Sequence, residues 1–293
     1  MVCCEPEKDG NAEVRQDMKR HITNVIFILL FLNGLGFLLY PTVSDRWNRM
    51  HQTRAITAYA EASAALDDAD YEKILADARA YNETLAAQGG SIELPEEKRA
   101  AYEAQLDIGG QGIMGYVDIP KIDCYLPVYH GTSEGVLQTA VGHLEGSSLP
   151  VGGEGTHCVL SGHRGLPSAR LFTDLDQMVV GDLFMVCVLD EILTYEVDQI
   201  LVVLPEETEA LAITPGKDYC TLVTCTPYGV NSHRMLVRGR RTDTLSVEET
   251  QRITADAVQI ETPLVASVAA VPVIVVLVCS LIYVVRRRRE GRS

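Results

Sequence analysis

A mixed α/β, mainly β fold is predicted: a barrel-like outer domain, preceded by acidic helices and held between two membrane-spanning segments. Three observations point to it. Long apolar segments lie toward each end of the chain, at 22–40 and 263–285. Between them, residues 112–242 alternate short β-rich runs with turn residues. Ahead of those runs, residues 47–107 carry Ile74, Leu75, Ala78 and Tyr81 at helical spacing in a strongly acidic background.

The first apolar segment follows a cytoplasmic tail, residues 1–21. Residues 22–40 are about as long as a bilayer crossing requires and are apolar all round. Pro41-Thr42-Val43-Ser44-Asp45 follows rather than a small-residue cleavage site, so the segment reads as an uncleaved signal anchor. Residues 41–111 then form an extracellular helical region, interrupted by a loop at Gln88-Gly89-Gly90-Ser91.

From residue 112 the texture changes. Seven runs read as strands, beginning with GIMGYVDIP and DCYLPVYH and ending with YCTLVTC and MLVRGRR. Their number and spacing suggest a closed or nearly closed barrel, with a short helix over 134–140. Residues 243–262 form a polar stalk leading to the second span, residues 263–285. The basic tail 286–293 includes Arg286, Arg287, Arg288, Arg289 and Arg292. Positive charge stays on the cytoplasmic side, so both termini are placed inside and residues 41–262 outside, a two-pass topology in the cell membrane.

The formal net charge of -15 excludes nucleic acid as a partner, because a phosphate-binding surface needs clustered Lys and Arg. None of the eight cysteines sits in a CxxC pair or at zinc spacing. No motif requires a metal or other cofactor. One bridge among Cys124, Cys158, Cys187 and Cys220 stays open.

Three residues carry candidate chemistry. Thr221-Leu222-Val223-Thr224-Cys225 reads as a strand stopped by Pro227, which cannot continue a central strand. Cys225 therefore sits at a strand tip, near the barrel mouth. His163 also follows an apolar strand and has glycines close on both sides; imidazole has the pKa range to activate a thiol and return a proton to a leaving amine. Arg234 comes early in the next strand, 233–240, where a short antiparallel connection brings it beside Cys225. There it could hold a carbonyl and an oxyanion.

These residues resemble the sortases, and more closely the class C, pilin-polymerising sortases of Gram-positive bacteria. The TLxTC signature appears as residues 221–225, inside TLVTCTPYGVNSHRMLVRG at 221–239. SGHRGLPSARLFTDLD at 161–176 and HLEGSSLPVGGEGTH at 143–157 are further signatures. The resemblance implies an eight-stranded β-barrel with Cys225 as nucleophile, His163 as general acid/base and Arg234 at the oxyanion. It implies cleavage of an LPXTG-like sorting signal between Thr and Gly through a thioester, then transfer to an amine, in class C a pilin lysine. The partners implied are LPXTG-bearing pilin or surface proteins, at the membrane.

One departure concerns the lid that class C enzymes often carry. Residues 82–108 contain no Asp-Pro-aromatic motif. Ser91-Ile92-Glu93-Leu94-Pro95 is the nearest match, with Ile92 or Leu94 as a possible apolar plug. The alternatives are a cell-wall-anchoring sortase, a plain cysteine peptidase, or a non-catalytic membrane scaffold that binds sorting signals.

Overall fold

The computed structural model describes residues 10–88 and 94–242, with side chains from residue 18 onward. The expected stalk, second span and basic tail lie outside the described residues, as does Ile92. The chain divides into two compact units, with the division after Val43.

In the first unit the described residues belong to helix α1 (Gly10–Ala64). Its side chains from Ile22 to Phe37 are largely exposed, Phe37 at 80%. It is the one helix among the described residues long and apolar enough to cross a membrane.

The second unit begins at Ser44 with the remainder of α1, followed by α2 (Asp68–Ala87) and α3 (Glu96–Glu103). Tyr59 of α1 donates to the Met114 carbonyl and accepts from the Leu189 N–H, each at 2.9 Å. Burial pushes its phenol up to about 12. Asp67 caps α2 by accepting from the Asp70 N–H at 2.8 Å, and Asp68 and Asp70 suit the positive end of the helix dipole. Leu75, Ala78, Asn82 and Leu85 form its buried stripe. Asn82 satisfies both backbone groups of Leu149. From α3, buried Tyr102 shares a 2.9 Å hydrogen bond with His143 Nδ1 and accepts from the Gly131 N–H at 3.0 Å.

Eight strands follow: β1 (Ile113–Ile119), β2 (Cys124–His130), β3 (Val141–His143), β4 (Thr156–Ser161), β5 (Leu183–Val188), β6 (Glu191–Val203), β7 (Asp218–Thr226) and β8 (His233–Arg241). They close in the order β1-β2-β3-β4-β7-β8-β6-β5, giving the expected eight-stranded barrel. The β2–β3 and β4–β7 pairs are parallel and the rest antiparallel. The predicted helix at 134–140 is shorter, α4 (Glu134–Leu137).

Alternate residues of each strand fill the barrel. Cys158 and Leu160 of β4, Phe184 and Val186 of β5, Tyr195 of β6, and Cys220 and Leu222 of β7 belong to one core cluster. Phe184 and Tyr195 stack at 5.5 Å. Glycine is required at 239 opposite them, since a Cβ there would lie 2.6 Å from the Phe184 ring. Cys124, Cys158, Cys187 and Cys220 are all buried free thiols, which resolves the question of a bridge among them.

Candidate active site

The β7 ladder ends where Pro227, which has no N–H, follows Thr226. The Pro227 carbonyl then accepts from the Val230 and Asn231 N–H groups at 3.1 and 2.9 Å, turning the chain into β8. This turn fixes the antiparallel register in which Cys225 is the direct partner of Arg234. Direct partners present their side chains on the same face of the sheet. Cys220 and Leu222 point into the core, so alternation along β7 puts Cys225 with Thr221 and Val223 on the outer face.

His163 reaches that region from β4. The parallel β4–β7 ladder ends with Ser161 opposite Val223. Beyond it, the Gly162 N–H donates to the Val223 carbonyl at 3.0 Å, and Thr224 Oγ1 donates to the Gly162 carbonyl at 2.8 Å. His163 is the next residue along the chain after Gly162, and Cys225 the residue after Thr224. The His163 carbonyl accepts from the Phe172 N–H at 3.1 Å, fixing the chain on its far side. Gly162 has no substitute here: a Cβ would lie 2.6 Å from the Phe172 ring.

All three predicted side chains are half-buried. Cys225 is the one cysteine among the described residues that is not buried. Burial pushes the Cys187 thiol up to about 12 and raises those of Cys124 and Cys220, which disfavours their reactive thiolates. Arg234 Nη1 donates to the carbonyls of Asn231 and His233 at 3.2 and 3.1 Å, so the guanidinium braces the β7–β8 turn.

Two competing histidines, His143 and His157, are occupied elsewhere. His143 is fully buried between Tyr102 and the Ser147–Ser148 turn. His157 is held by the Ala212 carbonyl and Thr221 Oγ1, and its pKa is lowered by burial.

Leu94 is partly buried and packs against the core cluster. The flanking helices are tied elsewhere, α2 to Leu149 and Glu191, α3 to Gly131, His143 and Glu145. Among the described residues, no hydrogen bond or ion pair from 68–107 reaches residues 161–176 or 224–234.

Reasoning from sequence missed three neighbours: Thr224, Arg164 and Tyr228. Each lies within three residues of a predicted site residue. Their partners, Gly162, Asp176 and each other, become visible only once the loops are folded.

A family model described as the sortase domain matches residues 117–242. Sortase C1 from Streptococcus agalactiae is 54% identical over 66% of this chain and 100% of that one, with a TM-score of 0.64. This chain belongs to the sortase family. Two further similar structures are also class C sortases. Sortase C from Streptococcus pneumoniae is 46% identical, covering 66% of this chain and 98% of that one, TM-score 0.60. Sortase C from Clostridium perfringens, solved with the C-terminal cell wall sorting motif, is 43% identical, covering 66% and 100%, TM-score 0.58. Sortases are cysteine transpeptidases that anchor or polymerise surface proteins, and the present sortase is an enzyme of that kind.

Proposed function

We propose that this sortase cleaves an LPXTG-like sorting signal between Thr and Gly and joins the new acyl end to a pilin lysine. One observation supports the reading: half-buried Cys225 pairs with Arg234 across β7 and β8, and the loop that bears His163 leaves β4 alongside β7. The relatives agree with it. The Streptococcus pneumoniae sortase C structure is described in terms of pilin substrate specificity, and the Clostridium perfringens one holds a sorting motif.

In this reading the Cys225 thiolate attacks the threonine carbonyl carbon. Arg234 turns from the loop carbonyls to the developing oxyanion, together with a backbone N–H. His163 gives its proton to the departing glycine amine as the C–N bond breaks, leaving a thioester on Cys225. A pilin lysine then attacks the thioester and His163 takes its proton as the C–S bond breaks. Leu94, with Ile92, is placed in the segment that would act as a lid.

Two-pass insertion puts residues 41–262 on the outer side, where such substrates are displayed. The deciding experiment incubates the full chain with LPXTG-bearing pilins and looks for covalent ladders on a denaturing gel. Ladders that vanish in Cys225→Ala support polymerisation. A thioester adduct released only by a wall-precursor amine makes the enzyme a wall-anchoring sortase, and release only by water makes it a peptidase. No adduct on intact, reduced protein refutes the reading.

A further inference from the structure

Arg164 is the residue immediately after His163, and the reaction outlined above gives it no task. Its side chain is 9% exposed, an unusual position for a guanidinium at a loop surface. It forms an ion pair with Asp176, on the short turn Leu175–Gln177. Its Nε is buried and has no hydrogen-bond partner among the described residues. Leaving such a donor unpaired is costly, so the placement of this side chain is serving something other than its own hydrogen bonding.

What it touches is the loop after the nucleophile. The guanidinium carbon lies 5.9 Å from the centre of the Tyr228 ring, within cation–π range. Tyr228 is otherwise 61% exposed. Next to Arg164, Gly165 adopts φ +74, and a Cβ there would lie 2.9 Å from the same ring. The Gly165 N–H is bound in turn to Thr173 Oγ1 at 3.1 Å. The loop that follows His163 thus grips the loop that follows Cys225 through one arginine, one glycine and one aromatic ring. Asp176 neutralises the guanidinium, so Arg164 is poorly suited to compete with Arg234 for an oxyanion and well suited to hold a fixed pose.

We propose that Arg164 is a positioning residue: tied to Asp176 and holding Tyr228 over Gly165, it sets the distance between the His163 ring and the Cys225 thiol. This rests on the reading of Cys225 and His163 as the reacting pair. It explains why an arginine whose Nε goes unpaired is kept beside the imidazole. It also gives the exposed Tyr228 a role that involves no contact with substrate.

The test uses the full chain in detergent. Three quantities are measured: the pH midpoint for alkylation of Cys225 by iodoacetamide, the melting temperature, and transfer of an LPXTG-like peptide to an amine. Arg164→Met and Tyr228→Ala are expected to move the midpoint toward that of His163→Ala. Transfer should fall by about 10²-fold, the scale of an ångström-sized misplacement, with melting close to the parent. Tyr228→Phe, which keeps the ring, should recover the parental midpoint. If Arg164→Met does not fold, Asp176→Asn and Tyr228→Ala alter side chains that are 45% exposed or more and carry the same comparison. A midpoint in the folded Arg164 or Tyr228 variants that coincides with the parent's overturns the proposal, whatever happens to melting. A parental midpoint unmoved by His163→Ala instead refutes the underlying pairing of thiol and imidazole, and the positioning role falls with it.

Discussion

Cys225 and Arg234 are cross-strand partners one step from the end of the β7–β8 ladder, with only Thr226 and His233 paired beyond them. The turn that joins them is braced by Arg234 itself, through the Asn231 and His233 carbonyls. Cys225→Ala should abolish thioester formation with an LPXTG-like peptide, read by intact-mass spectrometry. Arg234→Ala should slow acylation by about 10²–10³-fold, the usual cost of removing an oxyanion donor. Cys225→Ala should melt close to the parent, and Arg234→Ala somewhat lower, since it gives up the bonds to the Asn231 and His233 carbonyls. Acylation at the parental rate in Arg234→Ala would exclude Arg234 from the reaction.

Thiol accessibility gives a second prediction. A small alkylating reagent applied to the folded chain should modify Cys225 ahead of Cys124, Cys158, Cys187 and Cys220, all of which are buried. Peptide mapping reads the order of labelling. Equal labelling of the buried thiols before unfolding would contradict the closed barrel.

Thr224 links the two strands that bear the site, through its hydroxyl and the Gly162 carbonyl. Thr224→Val keeps the shape and removes the donor, leaving a buried carbonyl with one partner fewer. The expected destabilisation is about 1–3 kcal/mol by denaturant melting. Because Gly162 precedes His163, turnover should fall more than the peptide's KM rises. A variant with reduced stability but unchanged turnover would show that the hydroxyl serves only the fold.

Asp118 has its carboxyl pKa raised to about 6, first by burial and then by the nearby Asp123 charge. The folded value lies above the unfolded one, so the folded state holds the proton more tightly. Its contribution is fully present below about pH 4 and is lost as pH rises through about 6. Asp118→Asn should therefore flatten this part of the stability profile and stabilise the protein at neutral pH, by at most about 3 kcal/mol. Melting at mildly acidic and neutral pH, parent against variant, reads the difference. A variant with the parent's slope would place the titration elsewhere.

Most strands were legible in the sequence because each carries β-rich residues closed by turn residues. β3 was not: Val141–His143 is too short to show a period, and it exists because parallel β2 and antiparallel β4 clasp it from either side. Helix α1 extends through Pro41, where the sequence suggested an end to the apolar helix. Cys225, His163 and Arg234 are candidates that local cues single out, strand tips beside glycine and proline. Their register could not be read this way, because Gly162 and Thr224 are 62 residues apart and meet only through the β4–β7 pairing. The Arg164–Tyr228 contact was hidden for the same reason, since a cation and a ring announce nothing about each other until two loops fold side by side.

The strand order has a consequence for how the enzyme comes into being. β7 and β8 are the last strands in the chain yet fill the gap between β4 and β6, so the hairpin that bears Cys225 and Arg234 is the last part of the barrel to be synthesised. During synthesis the chain therefore passes through an interval in which the loop bearing His163 exists and Cys225 does not. A chain cut short before β7 thus lacks both Cys225 and the two strands that close the barrel between β4 and β6.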